Sequence, residues 1–230
     1  MSVALKNVYK QYGERVVLND LSLELREGKI NCILGSSGCG KTTVLNILAG
    51  LTDCVGTVIR PEKVAYIFQN SRLLPNLTVW ENVEYVVLDM PKEQRDSLIS
   101  DLLKRVELYD RRNDFPSQLS GGMARRVAMA RAYAYPASLL LMDEPFSALD
   151  LGLKLRQIEV YNDLASIYGR TTVFVTHDID EALLFADTVT VLKKGGEIAD
   201  SFSLPFDRAG RDLFSPEISA LKQRLYNLLK

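Results

Sequence analysis

A glycine-rich segment near the N-terminus has the composition of a phosphate-binding loop. Residues 35–42 read GSSGCGKT, with glycines spaced so that the backbone can wrap closely around an anion. Successive N–H groups of such a loop face phosphate oxygens, and the positive end of the following helix adds to the attraction. Lys41 can reach the β- and γ-phosphates of a nucleotide, and the Thr42 hydroxyl can bind Mg²⁺. The predicted phosphate contacts are Gly35, Ser36, Ser37, Gly38, Cys39, Gly40, Lys41, Thr42 and Thr43.

Two adjacent acidic residues follow an apolar run further along the chain. Residues 139–145 read LLLMDEP, and the apolar run predicts a buried strand that delivers Asp143 to one edge of a sheet. Since α/β sheets bind ligands at the carboxyl ends of their strands, Asp143 would hold Mg²⁺ there and Glu144 would polarise the attacking water. The alternative is a strand that simply ends in acidic loop residues. The phosphate-binding loop upstream disfavours that alternative.

A second candidate anion site is the segment LSGGM at residues 119–123, which directly precedes helical sequence. Ser120, Gly121 and Gly122 at a helix N-terminus would leave backbone N–H groups open to an anion. The simpler interpretation is a helix cap without a ligand, which is a common use of these residue types. One phosphate-binding loop implies one nucleotide for this chain, so the residues alone leave the ligand of LSGGM open.

The elements that must position these residues alternate between buried strands and helices. Short apolar runs at residues 30–34, 139–142 and 172–176 are each followed by helical sequence, which is typical of a parallel sheet covered on both faces. Residues 3–10 and 21–30 instead alternate apolar and polar side chains, which predicts antiparallel strands with one solvated face. The predicted fold class is therefore α/β, with a mostly parallel sheet and an N-terminal antiparallel part.

The middle of the chain predicts an inserted helical lobe. Apolar side chains recur at helical spacing in VWENVEYVVL, EQRDSLISDLLKRVELY and GGMARRVAMARAYA. We expect one domain over residues 1–230, comprising a core at about 1–75 and 136–205, a helical lobe at about 76–135 and a C-terminal helix at about 215–230.

Composition and charge disfavour several other classes of protein. The 230 residues are 47% hydrophobic and 25% charged, as in a folded domain, and a formal net charge of −1 provides no basic surface for nucleic acid. Cys32, Cys39 and Cys54 are too sparse for a disulfide framework, which favours reduced thiols in the cytosol, and at Cys39 we expect the backbone rather than a redox reaction to matter. No apolar run approaches the roughly 20 residues that span a bilayer, and no signal peptide is predicted. A membrane role is expected only through a partner.

These motifs occur together in an order that resembles the ATP-binding cassette (ABC) family. GSSGCGKT, Gln69, LSGGM, LLLMDEP, SALD and His177 follow one another as in that family, from about Tyr12 to beyond His177. The resemblance implies an ATPase with a P-loop core, in which LSGGM contacts the γ-phosphate of ATP held by a second copy of the chain. Two ATP molecules would be sandwiched in a head-to-tail dimer.

The resemblance also assigns roles to single residues. Tyr12 occupies the position of an aromatic ring that stacks on adenine, and Gln69 that of a glutamine that senses Mg²⁺ and the attacking water. His177 is similar to a histidine that holds the γ-phosphate and supports the catalytic Glu144. Each also has a plain alternative, respectively a strand-end tyrosine, a surface glutamine and a structural hydrogen-bonding histidine.

Asp150, in SALD, matches a loop that crosses the dimer interface and positions Ser147 and Ala148 near the partner's site. Two positions depart from the family pattern. Met123 stands where many members have glutamine, and Arg125 stands where glutamine often precedes the next arginine. These departures affect fine contacts near the start of the LSGGM helix rather than ATP binding.

Other segments resemble bacterial importer subunits, among them FQNSRLLPNLTVWENV and THDIDEALLFAD, and the C-terminal RDLFSPEISALKQRLYNLL resembles the nitrate/sulfonate/taurine branch. The resemblance implies a subunit that binds ATP and Mg²⁺ and drives uptake through separate transmembrane permease subunits, indirectly serving a substrate-binding protein. It would sit at the cytoplasmic face of the inner or plasma membrane. The alternative is a soluble or exporter-type ABC ATPase. The cargo is chosen by the other subunits.

The loop after Gln69 carries Leu73, Leu74 and Leu77 around Pro75. Apolar side chains in a loop are typical of a partner surface, and here they would receive a helix of the permease. The alternative is that they pack the helical lobe onto the core. A charged substitution at Leu73 or Leu74 distinguishes the partner surface from the packing role, because only the packing role requires these leucines for folding.

Overall fold

The structure, a computed structural model, describes residues 2–147, 149–208 and 211–230. In these residues the strands are β1 (Val3–Tyr12), β2 (Arg15–Leu25), β3 (Ile30–Leu34), β4 (Val55–Ile59), β5 (Val64–Ile67), β6 (Leu139–Asp143), β7 (Thr171–Thr176), β8 (Thr188–Leu192) and β9 (Ile198–Ser203). The α-helices are α1 (Lys41–Ala49), α2 (Val79–Glu84), α3 (Lys92–Arg105), α4 (Gly121–Ala134), α5 (Leu151–Tyr168), α6 (Ile179–Phe185) and α7 (Pro216–Leu229).

A central sheet has the strand order β5-β6-β7-β3-β8-β9. The pairs from β5 to β8 are parallel, and β9 runs antiparallel to β8. Strands β3, β6, β7 and β8 are buried along their whole length, which explains the mostly apolar runs of β3 and β6 and the apolar centre of β7. Because parallel strands end at the same edge, the segments after Leu34, Ile67, Asp143 and Thr176 converge there.

Each face of this sheet packs into a different apolar cluster. Within β6, Leu140 and Met142 pack with residues of α4, α5 and α6, whereas Leu139 and Leu141 pack with residues of α1, β1 and β2. The alternation follows from the period of two along a strand, because neighbouring side chains point to opposite faces. The sheet is therefore a middle layer that holds its carboxyl edge rigid, and the predicted α/β class is confirmed.

The N-terminal antiparallel part is a separate sheet in the order β2-β1-β4. Its apolar residues, including Leu5, Leu18 and Leu23, face α1 and the central sheet, and the intervening residues are exposed. The second strand begins at Arg15, earlier than the alternating stretch had indicated. This sheet brings the end of β1, at Tyr12, beside the start of α1.

Helices α2, α3 and α4 lie between β5 and β6 in the chain and pack on one another. The expectation that VWENVEYVVL is helical throughout was wrong, because α2 ends at Glu84 and turns follow to Met90. Val83 and Val87 are both buried, so the apolar pattern continued past the end of the helix. Tertiary packing of those turns, rather than helical periodicity, accounts for their apolar side chains.

The C-terminal helix α7 begins with Ser215 as N-cap, whose hydroxyl accepts from the N–H of Ile218 at 3.3 Å. Ile218 and Leu225 are buried against the sheet, and Leu221 and Leu228 are half-buried beside them. No helix in the described part of the chain combines the length and apolar character that crossing a membrane requires.

Candidate functional site

The phosphate-binding loop connects β3 to α1 at the carboxyl edge of the sheet. Gly40 has a φ of 111° and is followed by the first helical residue, Lys41, which is 6% exposed. The Lys41 ammonium donates to the carbonyl oxygens of Gly35 at 2.8 Å and Ser36 at 3.0 Å. Its charge is thus held inside the curve of the loop, beside the N-terminus of α1, where both attract phosphate.

Two glycines of this loop are required by the chain's own packing. A Cβ at Gly35 would collide with the Leu192 carbonyl oxygen and would lie 2.7 Å from the Cys39 Sγ. At Gly40 the positive φ is strained for other residues, and a Cβ would lie 2.8 Å from the Leu18 side chain. Burial raises the pKa of the Cys39 thiol, although the Lys41 charge opposes this, so a reactive thiolate is disfavoured.

A cavity of about 280 Å³ opens above the loop. Tyr12 stands at its rim with 48% of its surface exposed, which leaves a ring face available for stacking. Arg15 donates to the Gly38 carbonyl oxygen at 3.0 Å and adds a positive charge. The lining residues are Tyr12, Arg15, Val17, Ser37, Gly38, Gly40, Lys41, Thr42, Thr43 and Glu144.

Thr42 and Asp143 are a hydrogen-bonded pair beside this cavity whose oxygen atoms could hold a metal. The Thr42 hydroxyl donates to the Asp143 carboxylate at 3.1 Å. Burial raises the pKa of Asp143 and the Glu144 charge adds to the rise, against the Thr42 hydrogen bond and the Lys41 charge. Hard oxygen ligands and concentrated negative charge fit Mg²⁺. In the described ranges no group of three His, Cys, Asp or Glu side chains could hold a metal.

Glu144 contacts both of the other predicted catalytic side chains. Its carboxylate lies 3.1 Å from the His177 Nδ1 and accepts from the Gln69 Nε2 at 3.3 Å. Its φ of 47° is in the left-handed region, and its N–H donates to the Val175 carbonyl oxygen at 3.1 Å. Such strain in a non-glycine residue persists where surrounding contacts enforce it, often at functional sites. The sheet therefore brings together residues from the ends of β5, β6 and β7.

The segment LSGGM lies elsewhere. Ser120 is the N-cap of α4 and accepts from the Met123 N–H at 3.3 Å. Ser120 and Gly122 line a different cavity, of about 440 Å³, between α4 and α5. A Cβ at Gly121 or Gly122 would meet nothing within 4 Å. Nothing in the described chain therefore requires glycine at these two positions.

Asp150 is also outside the phosphate cavity. Its side chain caps α5 by accepting from the Leu153 N–H at 3.1 Å. Ser147 lines a small cavity with Glu144 and His177, whereas Ala148 lies outside the described residues.

Three residues that contact this site carry no motif of their own. Arg15 bonds the phosphate-binding loop, and Lys154 contacts the residues that follow His177. Arg125 donates to the carbonyl oxygens of Pro145 and Ser147, at 3.2 and 2.7 Å, and so ties α4 to the loop after Glu144. The only signal for Arg125 was its departure from the family pattern.

Comparison with known proteins agrees with this geometry. The family model described as ABC transporter matches residues 18–147. The aliphatic sulfonates import ATP-binding protein SsuB of Granulibacter bethesdensis is 42% identical over 99% of this chain and 94% of that protein. The Fe(3+) ions import ATP-binding protein FbpC of Photobacterium profundum is 39% identical over 84% of this chain and 59% of that protein.

Among solved structures, the dimeric post-hydrolysis state of the ATP-binding cassette MJ0796 bound to ADP and Pi has a TM-score of 0.77 and 35% identity, covering 89% of this chain and 100% of that one. A second dimeric structure of MJ0796 has a TM-score of 0.78 over the same shares. With a phosphate-binding loop, an acidic pair and a histidine converging at one sheet edge, the chain belongs to the ABC transporter family and is one of its ATPases.

Proposed function

We propose that this chain is the ATP-hydrolysing subunit of an importer and works as a dimer with two ATP molecules between its subunits. The observation that carries the proposal is the separation of two anion sites. The phosphate cavity holds Lys41, Thr42 and Glu144, whereas Ser120 and Gly122 line a different cavity. One chain therefore holds two halves of different sites, and a head-to-tail pair would complete both.

Within one subunit the residues divide the work. Lys41 and the loop N–H groups bind the β- and γ-phosphates, and Tyr12 stacks on the adenine. Thr42 and Asp143 would hold Mg²⁺, which supplies neutralisation of phosphate charge, and Gln69 would orient toward the metal and the water. Glu144 polarises the attacking water, and His177 holds Glu144 in place and reaches the γ-phosphate.

Across the dimer, Ser120, Gly121 and Gly122 would contact the γ-phosphate bound by the partner. These glycines face open space in their own subunit, so a close approach by another molecule would explain why both positions hold glycine. Asp150, at the N-terminus of α5, would lie where the two subunits meet. The dimeric MJ0796 structures support this arrangement because they are similar over nearly the whole chain.

The loop after Gln69 supports a permease contact, with a division among its leucines. All three leucines are half-buried. Leu73 packs against the apolar cluster that includes residues of α4, α5 and α6, whereas Leu74 and Leu77 do not belong to that cluster. Asn82, fully buried, bonds the N–H and carbonyl of Leu74 and the carbonyl of Leu77, which holds this loop rigid. Leu74 and Leu77 would contact a permease helix, and Leu73 would anchor the loop.

Import is favoured over a soluble or exporter-type ATPase by the names of the relatives, which are import proteins. Aliphatic sulfonates, named for several of them, are the first cargo class to test. The subunit would act at the cytoplasmic face of the membrane through permease subunits, and a substrate-binding protein would deliver the cargo to them.

Sedimentation velocity of Glu144→Gln tests the dimer. This variant keeps the Lys41 and Thr42 contacts and slows hydrolysis, so it should form a dimer with MgATP and a monomer without it. Lys41→Ala is the matched control, because it should stay monomeric in both conditions. A Glu144→Gln variant that stays monomeric at saturating ATP would contradict the sandwich arrangement.

A further inference from the structure

A mostly buried cation lies near the predicted catalytic histidine and lines the same small cavity. The Lys154 ammonium lies 2.7 Å from the Asp178 Oδ2 and 2.7 Å from the Glu181 Oε1. The side chain of Lys154 is 15% exposed and that of Glu181 is 4% exposed. Lys154 belongs to the first turn of α5, whereas the two carboxylates flank the start of α6. One side chain therefore joins two elements next to His177.

Hydrogen bonds carry this contact to both neighbours of His177. The Thr176 hydroxyl donates to the Glu181 Oε2 at 2.5 Å and accepts from the Asp178 N–H at 3.0 Å. Asp178 in turn caps α6 by accepting from the N–H groups of Asp180 and Glu181. The backbone on each side of His177 is thus fixed by groups that Lys154 holds.

The charges within this group depend on one another. Burial acts to lower the pKa of Lys154, but hydrogen bonds and charges from Asp178 and Glu181 outweigh it and raise the pKa. Burial acts to raise the pKa of Asp178, but the hydrogen bond and charge of Lys154 outweigh it and lower the pKa. Lys154 and Asp178 are therefore both charged at neutral pH. Removal of one partner from such a buried pair leaves an uncompensated charge.

The same group faces the catalytic pair. A cavity of about 120 Å³ is lined by Lys154, Thr176 and Glu181 together with Glu144 and His177. The His177 side chain is 55% exposed, and its recorded polar contact in the described structure is the one with Glu144. Its direction therefore depends on the backbone that carries it rather than on packing around the ring.

We propose that Lys154 is a positioning residue for ATP hydrolysis, which holds the backbone at His177 so that the imidazole meets Glu144. This proposal rests on the proposed function, because it assumes the catalytic roles of His177 and Glu144. Lys154 also follows Asp150 by one helical turn, with its N–H donating to the Asp150 carbonyl oxygen at 2.9 Å. The position of His177 is thereby tied to the loop that would meet the partner subunit.

Steady-state ATPase kinetics of Lys154→Met test the proposal. A shift of His177 by a fraction of an ångström to one ångström should lower kcat by about 10- to 100-fold and leave KM for ATP within about threefold. Lys154→Arg keeps the charge and should restore most of kcat. The control is Lys222→Met, which removes the exposed pair between Lys222 of α7 and Asp180 of α6, at 2.6 Å, and should behave as wild type.

A double variant shows whether Lys154 acts through His177. Lys154→Met combined with His177→Ala should be no slower than His177→Ala alone, since residues that act as a unit are not additive. A wild-type kcat for Lys154→Met, or losses that multiply in the double variant, would overturn the positioning role while leaving the proposed function intact. Normal turnover in His177→Ala would instead remove the His177 assignment, and this proposal with it.

A second double variant serves as the control for effects on folding. Lys154→Met with Glu181→Gln removes the more buried of the two carboxylates that lose their cation and should melt closer to wild type than Lys154→Met, with the same loss of kcat. Failure of both variants to fold would make Lys154 a purely structural residue and overturn the proposal.

Discussion

The phosphate-binding loop and the LSGGM segment both place glycines at a helix N-terminus, but the space around those glycines differs. In the loop, a Cβ at Gly35 or Gly40 would collide with the chain itself. In LSGGM, a Cβ at Gly121 or Gly122 would reach open space. The first pair of glycines is explained by folding, whereas no contact in the described chain explains the second pair.

Their surroundings differ in the same way. The loop meets Thr42, Asp143 and Glu144, which would supply a metal site and a water-activating group under the proposed function. LSGGM has Ser120 as a helix cap, and none of the predicted catalytic side chains is among the described residues that line its cavity. Folding alone therefore assembles the loop half of the proposed site, whereas the LSGGM half would become functional only when a second subunit brings the two halves together.

Mixing two inactive variants tests this contrast with the largest expected effect. Lys41→Ala breaks the loop, and Gly122→Asp places a carboxylate where the partner's γ-phosphate would lie. Each variant alone should lose at least about 100-fold in turnover, because each removes an electrostatic contact to the transferred phosphate. The mixture should regain ATPase activity, since hybrid dimers contain one complete site.

The control is a mixture of Lys41→Ala with Glu144→Gln. Both changes lie on the loop side, so every dimer has two defective sites and no activity should return. Recovery in this control, or none with Gly122→Asp, would show that the two segments do not complement each other between subunits.

A smaller effect is expected on stability. Gly40→Ala forces a side chain into a strained φ and against Leu18, and should lower the free energy of unfolding by about 1–3 kcal/mol. Gly122→Ala lies in the first turn of α4 with free space, and should leave it unchanged or raise it by up to about 1 kcal/mol. Chemical denaturation of the isolated subunits measures both. Equal destabilisation would mean that LSGGM is structural.

The smallest expected effect is a difference in stability between substitutions at two neighbouring leucines. Leu73→Asp should lower the free energy of unfolding by roughly 1–2 kcal/mol, because Leu73 packs on the core. Leu74→Asp should change it by less than about 0.5 kcal/mol and should abolish co-purification with the permease. If Leu74→Asp still co-purifies, the permease contact lies elsewhere.

Local sequence was sufficient where a function is built from consecutive residues. The phosphate-binding loop, its preceding strand and its following helix are one continuous segment, so glycine spacing and hydrophobic pattern predicted them, and the family resemblance was confirmed. The acidic pair was predicted for the same reason, because Asp143 ends a buried strand. The individual site roles stay predictions until the variants are measured.

Tertiary structure decided what depends on the order of strands rather than on spacing in the chain. Since β6 lies next to β7, Glu144 meets His177, and the turn after β6 holds Glu144 in a left-handed conformation that no residue pattern indicates. The ion pairs of Lys154 could not be predicted from the sequence, because its partners, Asp178 and Glu181, lie at the start of another helix. A lysine on a helix has the same local propensity whether it faces water or two carboxylates, and only the packing of α5 on α6 distinguishes the two.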